Sequence, residues 1–141
     1  MKNLMIFGEV LFDIFPDGNK VFGGAPFNVA WHLHGLGADP LFVGRVGDDN
    51  NGKKIISKMG EWEMNMKGIQ IDSEHPTGRV TIKLKDGQPA FNIEADQAYD
   101  FISADETLNE NGSDFDLLYY GSLALRTKKA KENCSNSLKK E

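Results

Sequence analysis

The chain has 141 residues, of which 40% are hydrophobic and 26% are charged, and its formal net charge is −5. This composition is typical of one globular domain and argues against a wholly disordered chain. The acidic balance argues against nucleic acid or an anionic membrane surface as a partner. Glycine supplies 15 residues, about 11% of the chain against an average of about 7%, which indicates many tight turns or close backbone approaches.

The first half of the chain alternates between predicted strands and helices. Short continuous apolar runs predict buried strands at 4–7 and 41–46. Apolar residues at helical spacing predict helices at 27–36 and 51–63. Residues 10–15 are expected to extend the first strand after a bulge. The order strand, helix, strand, helix favours a parallel, right-handed α/β sheet.

The middle of the chain breaks this order. Residues 78–84 and 90–95 alternate between apolar and polar side chains, and Asp86-Gly87 lies between them, which predicts an antiparallel hairpin. Residues 116–121 return to the pattern of a buried strand.

The last segment, 127–141, is predicted to be a polar helical tail or a truncated helix. Its apolar residues, Ala130, Cys134 and Leu138, draw one thin stripe, which is weak support for stable packing. A helix after a parallel strand normally leads to another strand, so either another chain completes this edge or the sequence is a fragment. The single cysteine, Cys134, cannot form an internal disulfide bond, and no targeting or membrane-spanning segment is predicted, so a cytoplasmic location is expected.

The densest chemical signal is the glycine-rich sequence 23–28, where a loop enters a helix. Gly23 and Gly24 lack Cβ atoms and let a ligand approach the backbone, while the helix N-terminus offers free N–H groups. Asn28 adds amide donors and an acceptor, and Asp13 at the end of a predicted strand adds a carboxylate. These groups suit a neutral polyol such as a sugar. The alternative is a plain glycine turn in which Asn28 caps the helix.

A second glycine-rich segment, 47–54, comes within one residue of a phosphate-binding P-loop. Lys54 stands where the pattern needs a hydroxyl for Mg²⁺, and Asp48 and Asp49 would place negative charge in the phosphate cradle. A turn with a helix start is the better interpretation.

A longer spaced pattern resembles a known family. Residues 23–30, followed by Gly37 and Gly47, resemble the N-terminal signature of the ribokinase-like (PfkB) carbohydrate kinases. Three further segments are similar to fructokinase-type members, namely 8–13, 44–49 and 121–126. The resemblance covers roughly residues 3–126.

This resemblance implies a fold. It implies an α/β protein, the N-terminal half of a ribokinase-like doubly wound sheet with a small β-sheet lid hairpin that closes over the sugar. Residues 1–126 would form the N-terminal part of the kinase domain, with lid elements at about 10–24 and 77–98. The hairpin predicted above would be part of that lid.

The resemblance also implies roles for individual residues. The sugar-binding positions fall on Asp13, Gly23, Gly24 and Asn28. Phe91 and Ile93 are candidates for the apolar side of the lid, with hairpin packing as their alternative. Arg79 and Arg126 are candidates for contact with a phosphate or substrate group, with exposed salt bridges as their alternative. His32 and His34, two positions apart on a helix, are expected to be packing or surface residues.

Catalytic residues are not expected in this chain. Family members are about twice this length, and their Gly-Ala-Gly-Asp-type motif, which carries the catalytic aspartate, has no counterpart after Gly121. Their ATP-binding segments and the Asn-x-x-Glu motif linked to Mg²⁺ are also missing. The resemblance therefore implies ATP and Mg²⁺ for a full-length member, with neither binding this chain tightly, and no metal site here.

Three functional hypotheses follow. The first is the N-terminal, sugar-binding portion of an ATP-dependent fructokinase-like kinase, inactive alone, with fructose as the favoured sugar; ribose, a keto-deoxy sugar acid or a nucleoside would use a similar scaffold. The second is a non-catalytic sugar-binding or oligomerisation module, which forms a homodimer through the lid. The third is a truncated gene product without an independent role.

Overall fold

The computed structural model describes residues 3–103 and 114–138. Eight strands lie in these ranges: β1 (Leu4–Phe7), β2 (Leu11–Ile14), β3 (Lys20–Gly23), β4 (Leu41–Gly47), β5 (Ile69–Asp72), β6 (Gly78–Lys85), β7 (Gln88–Ile93) and β8 (Leu117–Tyr120). The α-helices are α1 (Ala25–Gly35), α2 (Asn50–Glu61) and α3 (Lys128–Leu138), and short 3₁₀ helices cover Ala98–Phe101 and Leu123–Leu125.

Four strands form a parallel sheet in the order β5-β4-β1-β8. Alternate side chains of this sheet enter two apolar clusters, as strand geometry requires. Ile6 and Phe42 lie in the cluster that contains residues of α1 and α2. Met5 and Phe7 lie in the other, which contains Cys134 of α3. Layers therefore cover both faces, and the predicted α/β class is confirmed.

The other four strands form a mixed sheet in the order β3-β2-β6-β7. The predicted hairpin is confirmed: β6 and β7 pair antiparallel, and Asp86 and Gly87 form the turn with φ of 51° and 75°. The prediction that residues 10–15 extend the first strand is wrong, because β2 pairs with β3 and β6 instead. The chain leaves the parallel sheet at Gly8, where φ is 155° and a Cβ atom would collide with the ring of Pro26.

β8 differs from its prediction. The apolar run 116–121 predicts a buried strand, yet Leu117, Tyr119 and Tyr120 are 57%, 41% and 54% exposed. Within the described residues β8 pairs with β1 alone and lies at the edge of the sheet. A continuous apolar run indicates a strand but not its position in the sheet. It therefore did not distinguish an edge strand from a central strand that is buried on both faces.

β5 was not predicted, because its polarity is inverted. Gln70 and Asp72 are buried, whereas Ile71 is 59% exposed. The buried polar groups are satisfied: Gln70 exchanges hydrogen bonds of 2.7 and 2.8 Å with the backbone of Ser103, and Arg45 Nε donates to Asp72 Oδ2 at 2.8 Å. The apolar residue Ile71 therefore lies on the exposed face of β5, and the buried face is the polar one.

The polar tail forms α3, and its thin apolar stripe packs better than the sequence suggested. Ala130 and Cys134 are 2% and 4% exposed. Asn133 Nδ2 donates to the carbonyl of Ile102 at 2.8 Å, which ties the helix to the body of the protein. The side chain of Leu138 lies outside the described residues. None of the described helices combines the length and apolar character needed to cross a lipid bilayer.

Candidate functional site

The segment 23–28, called the glycine loop below, joins β3 to α1. Gly24 precedes the first residue of α1 with φ of 102°, a conformation that favours glycine. A Cβ atom on Gly24 would collide with the carbonyl oxygen of Glu9, and one on Gly23 would lie 2.5 Å from Asp13 Oδ2. The two glycines therefore make room for a backbone carbonyl and a carboxylate, as well as for any approaching ligand.

Asp13 lies on β2 beside this loop. Its carboxylate is half-buried and has no hydrogen-bond or ion-pair partner in the described part of the chain. Burial raises the pKa of Asp13, because desolvation disfavours the charged form. A carboxylate without internal partners can accept hydrogen bonds from the hydroxyls of a ligand.

The register of the mixed sheet brings Asp13 and two lid candidates to one face. Asp13 pairs with Val80, and Val80 pairs with Ile93. Phe91, two residues from Ile93, points to the same side. Phe91 and Ile93 are 62% and 45% exposed, so this face offers apolar surface beside the carboxylate.

Arg79 lies on the opposite face of the sheet. Its register partner on β2 is Phe12, the neighbour of Asp13. Arg79 Nε donates to Glu94 Oε2 at 3.0 Å, and the arginine side chain is 48% exposed. The structure thus gives Arg79 a surface salt bridge and does not bring it to the carboxylate of Asp13.

Asn28 lies on α1 with an exposed side chain. Its backbone N–H donates to the carbonyl of Gly24 at 2.9 Å, but no side chain caps the start of α1, so the alternative in which Asn28 is the helix cap is wrong. Asn28 instead lines an open cleft of about 270 Å³. Val21, the cross-strand neighbour of Asp13, lines the same cleft, whereas Asp13 is not among its lining residues.

The two histidines of α1 have the packing and surface roles predicted for them. His32 is exposed at the cleft, and His34 Nε2 lies 2.7 Å from the carbonyl of Trp62. Trp62 in turn stacks on Trp31, with ring centroids 5.4 Å apart.

Arg126 binds protein groups. Its Nε and Nη2 donate to the two carboxylate oxygens of Asp100 at 2.7 and 2.6 Å, and Nη2 also donates to the carbonyl of Glu94 at 2.6 Å. The guanidinium lies 5.3 Å from the ring centre of Tyr99, a buried residue whose pKa burial raises to about 12. Arg126 therefore joins the segment after β7 to the segment after β8.

The P-loop-like segment 47–54 is a helix cap. Asp49 precedes α2, and its Oδ1 accepts hydrogen bonds from Gly52 N–H at 2.8 Å and the Thr77 hydroxyl at 2.7 Å. Burial opposes this ionisation, but the hydrogen bonds outweigh it and lower the pKa of Asp49. The N–H of Gly52 within this segment is therefore bonded to a carboxylate and is not free to bind a phosphate. In the ranges 3–103 and 114–138, no group of three or more His, Cys, Asp or Glu side chains is arranged to hold a metal ion.

Glu9 was missed by the sequence analysis. It follows Gly8 at the end of β1, is 4% exposed, and its Oε2 has no hydrogen-bond partner in the part of the chain that the structure describes. Burial raises the pKa of this carboxyl, although the backbone N–H groups of Glu9, Ala124 and Ala25 act in the opposite direction. The only sequence signal was an acidic residue directly after a buried strand.

Comparison with known proteins places this architecture in one family. Residues 3–139 match the family described as pfkB family carbohydrate kinase. Fructokinase-2 of Zea mays is 34% identical over 143 residues, which cover 88% of this chain and 41% of the relative. The chain thus spans about two fifths of the length of such curated relatives.

Solved structures agree with this assignment. A sugar kinase of Pyrococcus horikoshii superposes with a TM-score of 0.83 and 26% identity, covering 95% of this chain and 50% of that one. A fructokinase of Vibrio cholerae, solved with fructose, ADP and a potassium ion, superposes with a TM-score of 0.74 and 23% identity, covering 97% and 46%. The latter similarity supports the fold.

Proposed function

Because this chain belongs to the pfkB family of carbohydrate kinases, we propose that it is the N-terminal, sugar-binding portion of a fructokinase-like kinase. Fructose is the proposed ligand, since the Vibrio cholerae fructokinase of the same fold is described with fructose bound. Residues 1–126 are the proposed kinase segment, with lid elements at about 10–24 and 77–98.

The observation that carries this proposal is the free carboxylate of Asp13. It lies beside Gly23 and on the same face of the mixed sheet as Phe91 and Ile93. A sugar presents hydroxyl groups at its rim and C–H groups on its ring face. In the proposed complex Asp13 accepts hydrogen bonds from the hydroxyls, Asn28 extends the polar side, and the two lid residues cover the ring.

Phosphoryl transfer by this chain alone is not proposed. In the reaction of a sugar kinase the γ-phosphoryl group of ATP passes to a sugar hydroxyl, which loses its proton to a base. The P-loop-like segment is not proposed as the ATP site, because the Asp49 carboxylate accepts hydrogen bonds from Gly52 within it and from Thr77 outside it. The proposed role of this chain is therefore to bind and orient the sugar, with catalytic base and nucleotide site supplied by the half of the family fold that it does not span.

Calorimetric titration with fructose tests the proposal. The unchanged chain is expected to bind fructose, and Asp13→Asn is expected to weaken binding by about tenfold or more, because hydrogen bonds to a charged group contribute about 1.5–3 kcal/mol. Asp17→Asn is the matched control, since Asp17 lies in an exposed turn and bonds to Asn19 at 2.7 Å. Absence of binding by the unchanged chain, or equal binding by the Asp13 variant, would contradict the proposal.

An ATP-coupled assay with fructose tests the inactivity of the chain alone. No turnover is expected from the purified chain. Robust turnover would show that a catalytic base and a nucleotide site are present after all.

A non-catalytic module that assembles through the lid is the second candidate. The observation that favours it is exposed apolar surface on the mixed sheet, where Leu84 and Phe91 are 67% and 62% exposed. A homodimer would bury this surface. Sedimentation velocity decides the matter, because a chain that stays monomeric with and without fructose rules out this assembly.

A further inference from the structure

Glu9 contacts the glycine loop from within the protein. Its carbonyl oxygen occupies the space that a Cβ atom of Gly24 would need. Its carboxyl group lies close enough to the N–H of Ala25, the first residue of α1, for that N–H to lower its pKa. Backbone and side chain of one residue therefore meet two successive positions of the loop.

The same side chain contacts a second segment, the turn after β8. A Cβ atom on Gly121 would lie 3.1 Å from Glu9 Oε2, and the N–H of Ala124 also faces the carboxyl group. Gly121 itself lies against Pro26 of α1, where a Cβ atom would come within 2.5 Å of the proline ring. Glu9 thus lies between the glycine loop and the turn at 121–124.

From this placement we propose that Glu9 is a positioning residue for the sugar site. A carboxylate near a helix N-terminus stabilises the helix through its dipole, and the Glu9 carbonyl oxygen packs against Gly24 directly before α1. Glu9 sets the position of Gly24 and Ala25, and through them the position of Asn28 relative to Asp13. It does not touch the sugar, and this role rests on the proposed function, since it concerns the same site.

A pair of carboxylate variants tests the role. Glu9→Gln keeps the size of the side chain but replaces one acceptor oxygen with a donor amide. Asp72→Asn is the matched control, because the Asp72 side chain is 3% exposed and lies on β5, two strands away from β1. The measurements are the dissociation constant for fructose, the free energy of unfolding in urea, and the amide resonances of Ala25 and Ala124.

Glu9→Gln is expected to shift both amide resonances and to weaken fructose binding by about tenfold, the effect of one misplaced hydrogen bond. Asp72→Asn is expected to lower the free energy of unfolding but to change fructose affinity by less than about twofold, because distant sites act independently. Should Glu9→Gln fail to fold, Glu9→Asp, which keeps the charge but withdraws it by one methylene, replaces it with the same expectation.

Native fructose affinity in the folded Glu9 variant would overturn the inference, as would an equal loss of affinity in both variants. If the unchanged chain binds no fructose, the proposed function fails instead. The amide hydrogen-exchange rates of Gly24 and Ala25 then test the role of Glu9. Faster exchange in the Glu9 variant than in the Asp72 variant supports positioning of the glycine loop by Glu9. Equal exchange rates overturn it.

Discussion

Asp72 and Asp13 lie on strands of different sheets, and the two sheets treat them in opposite ways. Although burial opposes ionisation of Asp72, hydrogen bonds from Arg45 and from the amides of Glu74 and His75 lower its pKa to about 2. Asp13, on the mixed sheet, has no such partner among the described residues, and burial raises its pKa. The first carboxylate is bonded to the rest of the fold, whereas the second has no hydrogen-bond partner among the described residues.

The contrast extends to the sheets themselves. Phe7, Phe42 and Val43 of the parallel sheet are fully buried, whereas every residue of β7 in the mixed sheet is exposed. The strand β7 therefore contributes little buried apolar surface compared with the parallel sheet. The outer part of the mixed sheet keeps apolar and polar groups exposed, with Phe91 and Ile93 of β7 at 62% and 45%.

The largest expected effect is on the free energy of unfolding, and it differs between a ring buried in the parallel sheet and a ring exposed on the mixed sheet. Phe42→Ala removes a fully buried ring of the parallel sheet and is expected to lower the free energy of unfolding by about 3–5 kcal/mol. Phe91→Ala, on the exposed hairpin, is expected to change it by about 0.5 kcal/mol or less. Urea unfolding measures both, and similar losses would refute the division.

The next effect concerns the glycine loop. Gly24→Ala combines an unfavourable positive φ with a collision against Glu9, and a loss of about 2–3 kcal/mol is expected together with loss of fructose binding. Gly18→Ala is the control, because Gly18 has φ of 86° but no atom near the added Cβ, so about 1 kcal/mol of backbone strain is expected. Equal losses would mean that the contact with Glu9 is unimportant.

Arg126 bonds to Asp100 and to the carbonyl of Glu94. Arg126→Ala is expected to lower the free energy of unfolding by about 2 kcal/mol, because the Asp100 carboxylate, 3% exposed, loses its charged partner. Arg79→Ala removes an exposed ion pair on β6 and is expected to lower the free energy of unfolding by about 0.5 kcal/mol or less. Unfolding in urea checks the pair. Comparable losses in the two variants would mean that the Arg126–Asp100 pair contributes no more than an ordinary surface ion pair.

The smallest expected effect is a difference in pH dependence. The folded pKa of Asp72, about 2, lies below the unfolded value of about 3.9, so its stabilisation is present above pH 4. About 1–2 kcal/mol of stability is expected to disappear as the pH falls from about 4 to 2, and Asp72→Asn is expected to lack this fall. Asp13 has the opposite sign: its raised pKa makes stability decrease as the pH rises through that value, so Asp13→Asn is expected to be slightly more stable than the unchanged chain at pH 7.

The features that could be predicted from the sequence are those with strong local signals. The Asp86-Gly87 turn between alternating runs identified the hairpin, and the spaced glycines from Gly23 to Gly47 identified the family. β5 could not be predicted because the face that it packs against the protein is polar. The buried polar groups of this strand are hydrogen-bonded by Arg45 and Ser103, which are distant in sequence. The burial of Glu9 could not be predicted for a similar reason, since its neighbours Ala25 and Ala124 come together only in the folded chain.

The buried cysteine of α3, Cys134, can report when this helix detaches from the rest of the protein. Burial raises the pKa of the Cys134 thiol, and the side chain is 4% exposed, so little reactive thiolate reaches solvent while the helix is docked. A thiol reagent can modify Cys134 only when α3 opens, and the rate of modification therefore measures how often it does so. The sequence contains no second cysteine. The absorbance change of a chromogenic thiol reagent would therefore report the opening of this one helix, and no label would have to be engineered.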